Sequence, residues 1–162
     1  IDEAEGIVCT GPFSSLEDLD VYLPDFEFAK KRGLKLLCAN PDIIVDRGSV
    51  REWCAGALAK MYTDLGGESL YFGKPFKPIY DLARRRLEAS GVQIKNNRIL
   101  AIGDGITTDI LGAEKEGIDS LFITGGLAAL ETGTKEQPDQ DLLKHYLDQQ
   151  KLSPAYSIGF LR

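Results

Sequence analysis

Short apolar runs alternate with amphipathic stretches along nearly the whole chain, and this alternation restricts the fold more than any other feature. Gly6-Ile7-Val8-Cys9-Thr10 is apolar and ends at the turn residues Gly11 and Pro12, which predicts a buried strand. A helix is expected from Ser14 or Ser15, with Glu17 and Asp18 near its positive end and Leu19, Leu23, Phe26 and Ala29 at helical spacing. Pro24 should kink or divide it. Gly33 closes that helix, and residues 34 to 39 read as the next strand. Further helices are expected over residues 50–65, about 75–90, 108–116 and 139–151. They alternate with strands over 69–72, 98–102, 120–124 and 155–160. Such a pattern implies right-handed crossovers and a parallel sheet with helices on both faces, an α/β fold.

Composition narrows the function. The chain has 162 residues, 43% hydrophobic and 27% charged, which is long enough for a real core and describes an ordered globular protein. A formal charge of −6 and a single histidine, His145, argue against a nucleic-acid surface, since phosphate-backbone binding needs clustered Lys and Arg. Lys30-Lys31-Arg32 and Arg84-Arg85-Arg86 fall inside helical patterns and read as solvated faces. No apolar run approaches the roughly 20 residues of a membrane-spanning helix, and residues 1–5 are acidic where a signal peptide would be basic, so a cytoplasmic location is expected. Cys9, Cys38 and Cys54 are an odd number, with Cys9 and Cys38 in apolar runs, and read as buried reduced thiols.

Ligands on parallel α/β sheets bind beyond the carboxyl ends of the strands. Three such places carry chemistry-bearing residues: Asn40-Pro41-Asp42, Gly73-Lys74-Pro75, and the run from Gly103-Asp104-Gly105 to Asp109. Asp104 directly follows an apolar strand, and Asp109 lies at the start of the next helix, so two carboxylates share one mouth. Such oxygens suit a hard cation such as Mg²⁺. In isolation, Asp104 could equally be a turn former and Asp109 a helix-capping acid. Lys74 puts an ammonium where it could meet a phosphate or a developing oxyanion, although alone it could be an exposed strand-end lysine.

Together these residues resemble a known family. Gly73-Lys74-Pro75 and Gly103-Asp104-Gly105-Ile106-Thr107-Thr108-Asp109-Ile110 are similar to motifs three and four of the haloacid dehalogenase superfamily. Leu37-Cys38-Ala39-Asn40-Pro41-Asp42 and Gly56-Ala57-Leu58-Ala59 resemble cap segments of its class II, subfamily A phosphatases, and Thr124-Gly125-Gly126 resembles the strand end after motif four. The resemblance implies a Rossmann-like core with an inserted α/β cap: residues 1–67 would be the later part of the cap and 68–162 the carboxyl half of the core. It implies in-line attack on a phosphate monoester by an aspartate, through a phospho-aspartate, with Mg²⁺ shielding charge. Lys74 would pair with nucleophile and phosphoryl oxygens, Asp104 would bind Mg²⁺ directly, and Asp109 would ligate or orient. Asn40 and Asp42 would sit over the site and help choose the leaving group of a small phosphorylated metabolite.

One part of the pattern is missing. The nucleophile belongs to an Asp-x-Asp motif at the end of an apolar strand, whereas Asp18-Leu19-Asp20 follows Ser14-Ser15-Leu16-Glu17 and reads as a helix beginning. The Ser/Thr of motif two also lacks a match. The expectation is a piece of a larger phosphatase, inactive alone, with about a hundred residues or more elsewhere. A half core should leave a sheet edge and an apolar face open, so a homodimer or pairing with the missing half is expected. Two alternatives stand beside this reading. One is a non-catalytic phosphate- or metal-binding regulatory module of the same fold. The other is a flavodoxin-like or response-regulator-like domain, which would need strand-end acids grouped early in the chain.

Overall fold

The computed structural model describes residues 2–14, 16–48 and 50–162. It divides into two compact units, residues 1–76 and 77–162.

The first unit is built on a parallel sheet of β1 (Gly6–Cys9), β2 (Lys35–Cys38) and β5 (Glu68–Tyr71), with β2 in the middle. β3 (Ile44–Arg47) and β4 (Val50–Trp53) form a separate antiparallel hairpin. The helices are α1 (Leu23–Lys31) and α2 (Ala55–Asp64). Ala55, Gly56, Ala57, Leu58 and Ala59 are consecutive and buried, and these small residues let α2 lie close to the sheet. Phe26, Leu36, Leu58 and Tyr62 fill the core with Cys9 and Cys38. The Tyr62 hydroxyl donates to the Leu34 carbonyl at 2.6 Å, which satisfies the one polar atom this ring takes into the core.

Two expectations change in this unit. In place of one helix reaching back to residues 14–15, a 3₁₀ turn over Leu19–Tyr22 precedes α1. Pro24 sits in the first turn of α1, where its missing N–H costs nothing, so it starts the helix and does not kink it. Ser15, one of the two expected starts, lies outside the described residues. The expected helix over 50–65 begins only at Ala55. Val50 to Trp53 are strand, as their β-branched and aromatic ends favour, and the Arg51 side chain spans the hairpin to Asp46 at 2.8 Å.

The second unit has a parallel sheet in the order β6 (Leu100–Gly103), β7 (Asp119–Ile123), β8 (Tyr156–Ile158). Helices α3 (Lys77–Ala89), α4 (Leu111–Glu116) and α5 (Gln140–Gln150) accompany it. The core gathers Ile106, Ile110, Phe122, Ala128, Leu143 and Leu152. α3 is amphipathic yet buries no residue, and Leu100 and Ile102 on the edge strand β6 are both exposed. The boundary between the units falls between Phe76 and Lys77, so β5 shares the first unit's sheet. Both three-stranded sheets are parallel, as the α/β reading requires. Among the described residues no helix is long and apolar enough to cross a membrane.

Candidate active site

In the second unit, β6 ends at Gly103 and delivers Asp104 to the carboxyl edge of the sheet, where Gly103 pairs with Phe122 of β7. The backbone then turns through Ile106–Ile110 as a single π-helical turn. The Gly105 carbonyl accepts from the amides of Thr108, Asp109 and Ile110, at 3.2, 2.7 and 3.1 Å. Wide turns of this kind recur where a helix is distorted to present side chains. Here the turn brings Asp109 back over the strand end, where its Oδ2 accepts from the Gly105 amide at 3.0 Å. A Cβ on Gly103 would overlap the Asp109 carboxylate, so only glycine allows this close return.

Asp104 is held from the other side. Its Oδ2 accepts from the Leu127 amide at 3.2 Å, and a Cβ on Gly126 would overlap the same carboxylate. The buried Thr124 and Thr132 and the half-buried Thr134 form a hydroxyl cluster. Thr134 Oγ1 donates to Thr124 Oγ1 at 2.9 Å, Thr132 Oγ1 donates to the Ala128 carbonyl at 2.7 Å, and Thr132 and Thr134 lie 2.7 Å apart. The sequence reading singles out Thr124-Gly125-Gly126 but not Thr132, Thr134 or the Leu127 amide.

Asp104 and Asp109 thus meet at one sheet edge, each half-buried and each accepting a backbone N–H. Two carboxylates are hard oxygen donors of the kind Mg²⁺ takes from a protein while filling its remaining positions with water and phosphate oxygens, so the donor set fits that ion. Among the described residues no group of three or more His, Cys, Asp or Glu side chains could hold a metal by itself.

The other sequence-predicted residues belong to the first unit. Lys74 is exposed and follows β5, with the Lys74–Pro75 peptide bond cis. Asn40-Pro41-Asp42 follows β2 as a compact turn. Asn40 Oδ1 accepts from the Asp42 amide at 3.3 Å, Cys38 Sγ donates to the Asn40 carbonyl at 3.4 Å, and the Asp42 carbonyl accepts from the Gly56 amide at 3.1 Å. Cys9 and Cys38 are free, buried thiols, and burial pushes both upward, Cys38 to about 11, which fits inert core groups.

Asp18 caps the Leu19–Tyr22 turn, its side chain accepting from the Asp20 amide. A second Asp-x-Asp, Asp139-Gln140-Asp141, opens α5 in the same way: Asp139 Oδ1 accepts from the Asp141 and Leu142 amides, both at 3.0 Å. Neither sits at the end of a parallel strand.

Residues 71–149 match the HAD-hydrolase-like family model. A haloacid dehalogenase-like hydrolase from Brucella suis 1330 superposes with a TM-score of 0.79 at 39% identity, over 99% of this chain and 57% of its own. The chain is similar to hydrolases of the haloacid dehalogenase superfamily. Two further superfamily structures share the fold at lower identity. A p-nitrophenyl phosphatase from Archaeoglobus fulgidus gives a TM-score of 0.66 at 20% identity, over 97% of this chain and 54% of its own. A possible sugar phosphatase from Cytophaga hutchinsonii gives 0.63 at 21%, over 87% and 49%. The chain therefore spans about half the length of these structures. Comparison with the curated proteins gave no match.

Proposed function

We propose that these 162 residues are the lysine and metal half of a phosphate monoester hydrolase, with residues 1–67 as the later part of a substrate-selecting cap and 68–162 as half of the catalytic core. The observation that carries this reading is the pair Asp104 and Asp109, returned to one strand end by a π turn and fixed there by backbone amides. Bound between them, Mg²⁺ would neutralise charge on the transferring phosphoryl group. Asp104 would be its direct ligand, and Asp109 would ligate or orient. The Lys74 ammonium would offset the charge of the phosphoryl oxygens and of an attacking aspartate supplied from outside these residues. Asn40 and Asp42 would contact the leaving group of a small phosphorylated metabolite in the cytoplasm. The open edge of β6, with Leu100 and Ile102 exposed, supports association with further polypeptide, either a second copy or the part that carries the nucleophile.

A second reading is a non-catalytic phosphate- or metal-binding module. It is favoured by the helix-cap positions of both Asp-x-Asp sequences. Hydrolysis of p-nitrophenyl phosphate with and without Mg²⁺ separates the two, comparing the 162-residue chain with a longer form that contains a strand-end Asp-x-Asp. Activity in the longer form alone supports the hydrolase, and activity in neither supports the binding module.

A further inference from the structure

Pro41 lies between two glycines that have no room for a side chain. A Cβ on Gly73 would overlap the Pro41 ring at Cδ and Cγ, and a Cβ on Gly56 would overlap the Pro41 carbonyl. Gly73 is the residue before Lys74, and Gly56 lies in the first turn of α2. The strand ends on either side are joined as well, because the Phe72 amide donates to the Cys38 carbonyl at 3.1 Å. On the lysine side the turn is closed by the Phe76 amide donating to the Gly73 carbonyl at 3.0 Å, with the Phe76 and Tyr71 rings stacked at 4.7 Å. On the other side the Asp42 carbonyl accepts from Gly56.

We propose that Pro41 is a positioning residue: wedged between Gly56 and Gly73, it locks the Asn40–Asp42 turn and the Lys74 turn into one body. Its functional meaning rests on the hydrolase reading above. Asn40 and Asp42 then hold a fixed relation to the Lys74 backbone, and a leaving group seated on the turn is presented to the lysine in one register. Proline suits the role because its ring is rigid and fills the space a Gly73 side chain would need. An ordinary loop contact would leave the two turns free to move separately.

Amide hydrogen exchange on the 162-residue chain tests the coupling without any assumption about catalysis. Pro41→Ala removes Cγ and Cδ but no hydrogen bond to the lysine turn. It should speed exchange at the Phe76 amide as well as at Asp42 and Gly56, by roughly tenfold, the scale of a local opening. Gly73→Ala should speed the same amides, and the double variant Pro41→Ala, Gly73→Ala should exchange more slowly than Gly73→Ala alone, because the added Cβ then meets only the backbone nitrogen of residue 41, at an ordinary contact distance of 3.4 Å. If Pro41→Ala alters residues 40–42 and leaves Phe76 unchanged, or the two changes simply add, the proposal is overturned. In a longer, active form, Gly73→Ala should lower kcat more than it raises KM, with recovery in the double variant. If exchange shows the coupling and no form hydrolyses phosphate esters, the positioning of one turn by the other stands while the hydrolase reading fails.

Discussion

The Leu127 amide donates to the Asp104 carboxylate at 3.2 Å, which ties the end of β6 to the loop that follows β7. Gly126, the neighbouring residue, must lack a side chain for that bond to form. Gly126→Ala is therefore expected to push Asp104 aside and to destabilise the second unit by about 1–3 kcal/mol through overpacking. Urea unfolding checks the second effect. The first is checked by loss of Mg²⁺-dependent turnover in a longer, active form.

Charge and shape can be separated at the paired carboxylates. Asp109→Asn keeps an oxygen able to accept from the Gly105 amide, so the π turn should survive with an unchanged circular dichroism spectrum. In a longer, active form the lost charge should raise the Mg²⁺ concentration needed for half activity by roughly tenfold or more, in the range seen when groups around a metal are altered. In a longer, active form, Asp104→Asn and Lys74→Ala should instead lower turnover by on the order of 10²-fold or more, as removal of transition-state charge partners does. Near-normal rates in either variant would refute the roles given to them.

Tyr62→Phe tests the first unit's core. The ring keeps its contacts, but the Leu34 carbonyl loses its 2.6 Å donor at a buried position. A cost of about 1–2 kcal/mol is expected, typical of a lost buried hydrogen bond. Thermal unfolding would show it, and an unchanged midpoint would mean that another donor replaces the hydroxyl.

Much of this arrangement could be read from residue order. Gly103-Asp104 after an apolar run, and Lys74 after β5, fall at strand ends because the 2-residue and 3.6-residue periods are distinct there. The hairpin of β3 and β4 was hidden, because Val50 and Trp53 can sit on a helical face as easily as on a strand, and the Arg51–Asp46 pair that spans it is a cross-strand contact. The start of α1 differs from the sequence expectation because Pro24 has opposite meanings in a first turn and in a helix interior. At the site, the carboxylate pair was legible, whereas its supports were not. The Leu127 amide and the Thr132–Thr134 hydroxyls act through backbone geometry and burial, which no spacing rule encodes. The wedge of Pro41 between Gly56 and Gly73 is likewise a three-body contact among residues far apart in sequence.

Alkaline pH gives a last test, through Cys38. Burial raises its thiol from 9.0 to about 11, so the folded chain holds the proton more tightly than the unfolded chain does. The associated stability is fully present below pH 9 and is lost as pH rises toward 11, because the unfolded state can ionise first. Cys9 is shifted in the same direction by the same cause and adds to the slope. Chemical unfolding across pH 8 to about 11 should therefore show falling stability, with a shallower fall in Cys38→Ala, whatever that variant's stability at pH 7. A slope unchanged by the substitution would mean that Cys38 ionises as readily in the folded chain as in the unfolded one.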